Sequence, residues 1–258
     1  MKWPALKHRI EKAISTSDSG FHGYVFNEAL SILVRERFIA RAAHSTVSDT
    51  LILKGGILLT GVYTKQSRFT NDADFSLRVG TGLPAFQKAV DAICVVDLAD
   101  DFNFSRDDGL IMDAENRLYD GARFQITSNF ATNQRLAFTL DFGVGDIVEP
   151  LRDKLPVLPG TDFDSMEMHM YPAETIAAEK LQTCIEKGEQ NSRMKDYFDL
   201  YLLRDLVDKA KFSDAAIKTF QQRGTAYPGT LPNAEALQTR WQHFLKSKQL
   251  RVMKPVPE

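Results

Sequence analysis

From Phe26 to Phe38 the apolar residues Phe26, Ala29, Leu30, Leu33, Val34 and Phe38 recur at helical spacing and make one stripe. Arg35, Arg37 and Arg41 lie mostly off it, and Gly20 and Gly23 break the chain ahead of it. Residues 1–48 therefore read as a helical segment. The pattern then changes. Leu51-Ile52-Leu53 is a short apolar run ended by Gly55-Gly56. Ala73, Phe75, Leu77 and Val79 alternate with Asp74, Ser76 and Arg78, which predicts a strand. Pro84 to Val95 reads as a helix. Arg117 to Phe130 and Arg135 to Phe142 read as strands parted by Thr132-Asn133. Residues 49–160 thus form an α+β unit around a mixed sheet, and Leu155-Pro-Val-Leu-Pro-Gly160 is the best linker. Residues 161–258 read as helical. Pro172 suits a helix start, Arg193 to about Asp208 reads as a second helix, and two more fit Ser213 to Arg223 and Asn233 to Lys246.

Composition adds exclusions rather than a function. The chain has 258 residues, with 32 Lys and Arg against 34 Asp and Glu. Without a global basic field, any nucleic acid must be bound through local patches. Cys94 and Cys184 are the only cysteines and the five histidines are scattered, so neither a disulfide framework nor a zinc site is expected. No apolar run approaches membrane-spanning length and the start lacks a signal-peptide core, which makes the cytoplasm the expected location.

The strongest chemical signal lies where Leu53-Lys54-Gly55-Gly56 is followed by Arg68-Phe-Thr-Asn-Asp72-Ala-Asp74. Residues two apart on a strand share a face, so Asp72 and Asp74 point the same way. Two such carboxylates repel unless something positive intervenes, and a divalent cation is the usual answer. Asp141 alternates with Leu136, Phe138 and Leu140 and so faces away from the apolar set. If its strand lies beside that of Asp72 and Asp74, the three acids can hold metal for phosphoryl transfer. Gly55 and Gly56 let the backbone approach phosphate, Ile57-Leu58-Leu59 opens a helix whose amides can face an anion, and Lys54 and Arg68 add positive charge. Each part alone has a plain reading, as a solvated strand edge, a turn or a strand end. The order in which they occur is far more specific.

Further on, Lys180 sits on the stripe Ala173, Ile176, Ala177, Leu181, Cys184, Ile185. It either snorkels to the edge, the commoner arrangement, or points into a cleft toward an anionic partner. Asp196 and Asp199 share a helix face in Arg193-Met-Lys-Asp-Tyr-Phe-Asp-Leu200. They are either acids near a helix start or, for Asp196, the cleft partner of Lys180 or of an acceptor hydroxyl.

Taken in order, Leu53 to Gly56, Arg68 to Asp74, the strand ending at Asp141, Glu174 to Leu181 and Arg193 to Leu203 resemble the AbiEii/AbiGii toxin family of nucleotidyltransferases, which includes the MenT toxins. The resemblance implies a polymerase-β-like core joined to a helical C-terminal domain, with Mg²⁺ (or Mn²⁺) and a nucleoside triphosphate between them. It places the metal-binding aspartates on Asp72 and Asp74, with Asp141 a looser third. The family's later essential lysine and aspartate fall on Lys180 and Asp196. Gly55-Gly56 stands where many relatives carry Gly-Ser, which removes one hydroxyl from the phosphate contacts. It further implies transfer of a nucleoside monophosphate to RNA, with tRNA the expected acceptor, and a cognate antitoxin. A small-molecule or protein acceptor, or a silent nucleotide- or partner-binding module, are the alternatives.

Overall fold

The computed structural model describes residues 3–16, 24–59, 63, 70–112, 121–131, 133–155, 163–227 and 229–246. Two helices come first, α1 (Trp3–Ser15) and α2 (Phe26–His44). The sheet strands are β1 (Leu51–Lys54), β2 (Asp72–Leu77), β3 (Phe102–Arg106), β4 (Leu110–Met112), β5 (Gly121–Phe130), β6 (Gln134–Val144), β7 (Leu151–Leu155) and β8 (Met166–Met170). One turn of helix, α3 (Gly56–Leu58), follows β1, and α4 (Leu83–Cys94) follows β2. The C-terminal helices are α5 (Ala173–Lys187), α6 (Met194–Leu203), α7 (Lys209–Gln222) and α8 (Ala234–Leu245). Gly20, Gly23, Arg68, Thr132, the start of the strand read from Arg117, and Pro156 to Gly160 of the linker lie outside the described residues.

The eight strands form one mixed sheet in the order β3-β5-β6-β2-β1-β8-β7, with β4 also on β5. The β2–β6 and β1–β8 pairs are parallel and the others antiparallel. The fold is α+β, as the patterning predicts. β8 lies C-terminal to residue 160 and still belongs to the sheet, beside β1. Its Met166, Met168 and Met170 are buried and alternate with Glu167 and His169, a strand pattern inside a stretch read as helical. β7 shows no alternation, because four of its five residues are exposed at the sheet edge.

Alternation sorts the sheet into two faces. One carries Leu53, Phe75, Phe142, Leu140, Phe124, Ile126 and Phe138, all buried. The Phe142 ring stacks on Phe75 at 6.0 Å and meets Phe86 of α4 at 5.6 Å and Phe124 edge-on at 6.2 Å. Phe38 of α2 packs edge-on against Phe104 and Phe138. These contacts seat α2 and α4 on the apolar face and leave the polar face open for chemistry.

The three arginines off the α2 stripe are all buried. Tertiary partners explain two of them. Arg37 Nε donates to Asp100 Oδ2 at 2.7 Å, and Arg41 donates from Nη2 to Asp100 Oδ1 at 2.5 Å and from Nη1 to Oδ2 at 3.1 Å. Arg41 also reaches the Phe102 carbonyl at 2.6 Å. Burial alone would raise the Asp100 carboxyl, but the two guanidiniums outweigh it and hold it below the usual carboxylate range. The triad bolts α2 to the start of β3. Removing the acid leaves two buried cations uncompensated, so Asp100→Asn is expected to destabilise the fold by about 3–5 kcal/mol. Urea unfolding that shows a loss below about 1 kcal/mol would contradict this account of the triad.

Candidate active site

Strand register assembles the site. Lys54 pairs with Asp74 across β1 and β2, Asp74 with Asp141 across β2 and β6, and Asp141 with Arg123 across β6 and β5. One line of backbone pairing thus presents Lys54, Asp74, Asp141 and Arg123 on the polar face in the order plus, minus, minus, plus. Asp72 lies two residues before Asp74 on the same face.

Asp74 is the centre of this row. Burial, above all, pushes its carboxyl up to about 6, with Asp141 and Asp72 adding to the rise and Lys54 and Lys180 opposing it. Gly55 stands against it with φ +78°, and a Cβ there would fall 2.0 Å from Asp74 Oδ2. Only glycine permits both that backbone and that approach.

Asp141 does not point at its fellow acids alone. Arg123 takes both its oxygens, Nε to Oδ1 and Nη2 to Oδ2, each at 2.7 Å. Among the described residues no three Asp, Glu, His or Cys side chains form a ready-made metal cluster. The three acids share a face without closing on one point. The donor chemistry nevertheless suits a hard divalent ion: half-buried carboxylates beside backbone stripped of side chains by Gly55-Gly56.

Lys54 was expected to face phosphate. Its ammonium is held by Asp146 Oδ2 at 2.7 Å, and the Tyr171 hydroxyl donates to the same oxygen at 2.6 Å. Burial opposes the charge on Lys54, but Asp146, Glu179 and Asp74 together raise its pKa. Burial likewise opposes ionisation of Asp146, but Lys54 and Tyr171 bring that carboxyl down to about 2. Asp146 and Tyr171 escaped the sequence reading because both sit in irregular connections with no periodicity to mark them.

The helical half supplies a second cation. Lys180 does not snorkel. Its ammonium lies 2.9 Å from Asp196 Oδ1 and 2.7 Å from Asp199 Oδ2, both acids buried on α6. Arg193 Nε reaches Asp196 Oδ2 at 2.9 Å. Burial would raise Asp196, and Lys180 and Arg193 overcome it and hold that carboxyl low. Next to Lys180, Glu179 accepts from Arg223 at 2.8 Å, and Arg223 also donates to Gln182 at 2.9 Å. On the other side, Arg35 is buried near Asp72. Burial lowers its pKa to about 10, and Asp72 and Tyr24 offset part of that fall. The site therefore draws on both ends of the chain. Gly55, Gly56, Lys54, Asp72, Asp74, Asp141, Lys180 and Asp196 all take places in the described structure, whereas Arg68 is outside it.

The raised Asp74 carboxyl carries a pH signature. A folded-state pKa near 6 against an ordinary 3.8 means the native protein binds more protons than the unfolded one between those values, so stability falls as pH rises across that window. In EDTA, Asp74→Asn is expected to melt close to the natural protein near pH 4. Its advantage should grow to about pH 6 and then level off. A difference in Tm that does not change with pH would refute the shift.

A family model described as "Nucleotidyl transferase AbiEii toxin, Type IV TA system" matches residues 37–253. No curated protein is similar enough in sequence to match. Among solved structures, an antigenic nucleotidyltransferase-like protein from Paracoccidioides brasiliensis aligns over 84% of this chain and 93% of that one, at 12% identity and a TM-score of 0.44. That likeness is distant, and the assignment rests on the sequence match, which spans well over half of the chain and contains every acid and lysine of the site. The protein belongs to the AbiEii family of nucleotidyl transferase toxins of type IV toxin–antitoxin systems, and is a nucleotidyltransferase.

Proposed function

We propose that the polar face around Asp74 binds a nucleoside triphosphate with Mg²⁺ and that the protein transfers its nucleoside monophosphate to a hydroxyl of an RNA, with tRNA the expected acceptor. The observation that carries the reading is the charge row, in which two neighbouring acids are flanked by two cations and backed by glycine. Asp72 and Asp74 would hold the cation, with Asp141 the third carboxylate of the set, shared with Arg123. Mn²⁺ offers the same hard octahedral chemistry. When bound, the ion would lower the pKa of the attacking hydroxyl and neutralise charge on the triphosphate.

The chain's own residues would do the rest. Lys54 and the Gly55-Gly56 backbone receive phosphate oxygens. Lys180, held by Asp196 and Asp199, would offer a positive charge from the helical side, and the ease it lends to ionisation of Asp74 supports that role. In the reaction the acceptor hydroxyl loses its proton to solvent and its oxygen forms a bond to the α-phosphorus. The bond from that phosphorus to the bridging oxygen breaks, and pyrophosphate leaves with the electron pair. As a member of a toxin family, the protein would be countered by a cognate antitoxin. Among the described residues no helix is long and apolar enough to cross a membrane.

Incubation with Mg²⁺, each α-labelled triphosphate in turn and total tRNA is expected to put label on RNA. Asp72→Asn and Asp74→Asn should each lower the rate at least about 100-fold, the scale of losing a group aimed at the reacting charge. Transfer to a small molecule or protein instead would move the acceptor, and triphosphate binding without turnover on any acceptor would leave a binding module. Independently of activity, Mg²⁺ should raise the Tm of the natural protein and not that of Asp74→Asn. An equal rise in both would remove Asp74 from the metal site.

A further inference from the structure

One cation of the charge row is turned from the acid it faces. Lys54 stands in register with Asp74, yet its ammonium bonds to Asp146, on the loop after β6. That loop is held unusually well. Gln222, the last residue of α7, clasps it on both sides of Asp146: its Nε2 donates to the Gly145 carbonyl, and its Oε1 accepts from the Ile147 N–H at 3.1 Å. Tyr171 donates its hydroxyl to Asp146 and its backbone N–H, at 3.0 Å, to the carbonyl of Leu53, the residue before Lys54. The space for the ammonium is made by Gly143 of β6, where a Cβ would lie 2.8 Å from Lys54 Nζ. A lysine has four rotatable side-chain bonds, and here β1, β6, the loop and α7 together select one arrangement. Ordering such a side chain before the ligand arrives removes that cost from the binding step.

We infer that Asp146 is a positioning residue that holds the Lys54 ammonium in place for the triphosphate, with Tyr171 and Gln222 fixing Asp146 in turn. The inference rests on the nucleotide reading of the cleft. It makes no demand on the acceptor, because Asp146 acts through Lys54 alone. It also ties triphosphate affinity to the seating of α7, since Gln222 reaches the loop from the C-terminal helices.

The test is a double-mutant cycle on triphosphate affinity, which needs no turnover. Calorimetry with Mg²⁺ and ATP, GTP, CTP or UTP, whichever binds the natural protein best, is run on that protein, Lys54→Met, Asp146→Asn and the double variant. Asp146→Asn is expected to weaken binding roughly 3- to 10-fold, the scale of losing the pre-ordering of one such side chain. The double variant should bind no more weakly than Lys54→Met. Asp146→Glu, which keeps the charge, should recover part of the loss, and the KM for the acceptor should stay unchanged throughout. Losses that multiply in the double variant would show Asp146 acting independently, as a ligand or a metal carboxylate, and would overturn the inference. If Asp146→Asn does not fold, Gln222→Ala loosens the same loop while leaving Lys54 its partner, and the same comparison with Lys54→Met decides. Triphosphate bound without transfer would defeat the transferase reading while the cycle still judges Asp146. A natural protein that binds no triphosphate would overturn both.

Discussion

A single line of backbone pairing, running through Lys54, Asp74, Asp141 and Arg123 on four adjacent strands, is the constraint on which the site depends. Side chains alternate along a strand, so a slip of one residue in any of these pairings would turn the charge inward and an apolar residue outward. What prevents the slip is the opposite face. Phe75, Phe142 and Phe124 can only be buried if Asp74, Asp141 and Arg123 point out. Core packing and the geometry of the charge row are thus one constraint seen from two sides, with α2 and α4 packed on the apolar one.

The second theme is charge compensation by elements distant in the chain. Burial above all, with Asp141 and Asp72 close by, pushes the Asp74 carboxyl up to about 6. Lys54 and Lys180 approach from opposite halves of the molecule, each tethered by acids of its own. A tethered lysine acts as a fixed charge, and fixed charges need no rearrangement when a polyanion binds. The helical half is therefore part of the electrostatics of the cleft. Gln222 of α7 ties it to the sheet through the Asp146 loop, and Arg223, next along the chain, grips Glu179 beside Lys180 within the helical half.

Much of this was legible before the structure. The alternation around Phe75 and Leu140 fixed which way Asp74 and Asp141 face, and helical spacing found α4 and α8 close to their observed ends, while α6 stops at Leu203 rather than about Asp208 and α7 starts at Lys209 rather than Ser213. The D-x-D, the double glycine and the later Lys and Asp segments carried the resemblance that the family match upholds. Strands β3, β4, β7 and β8 were not read: β4 and β7 are short or exposed and carry little alternation, whereas β3 and β8 do alternate, but over only five residues each.

Periodicity is a local property, so the sequence by itself determined the element types, the faces and the chemical alphabet of the site. The fate of each charge was decided only by tertiary structure. Arg37 and Arg41 are buried because Asp100 waits some 60 residues on, at separations of 63 and 59. Lys54 finds Asp146 at a separation of 92, and Asp141 finds Arg123 through a strand pairing. A charged side chain is stable inside a protein only beside its partner. That partner is chosen by the path of the whole chain, which no window of neighbouring residues contains.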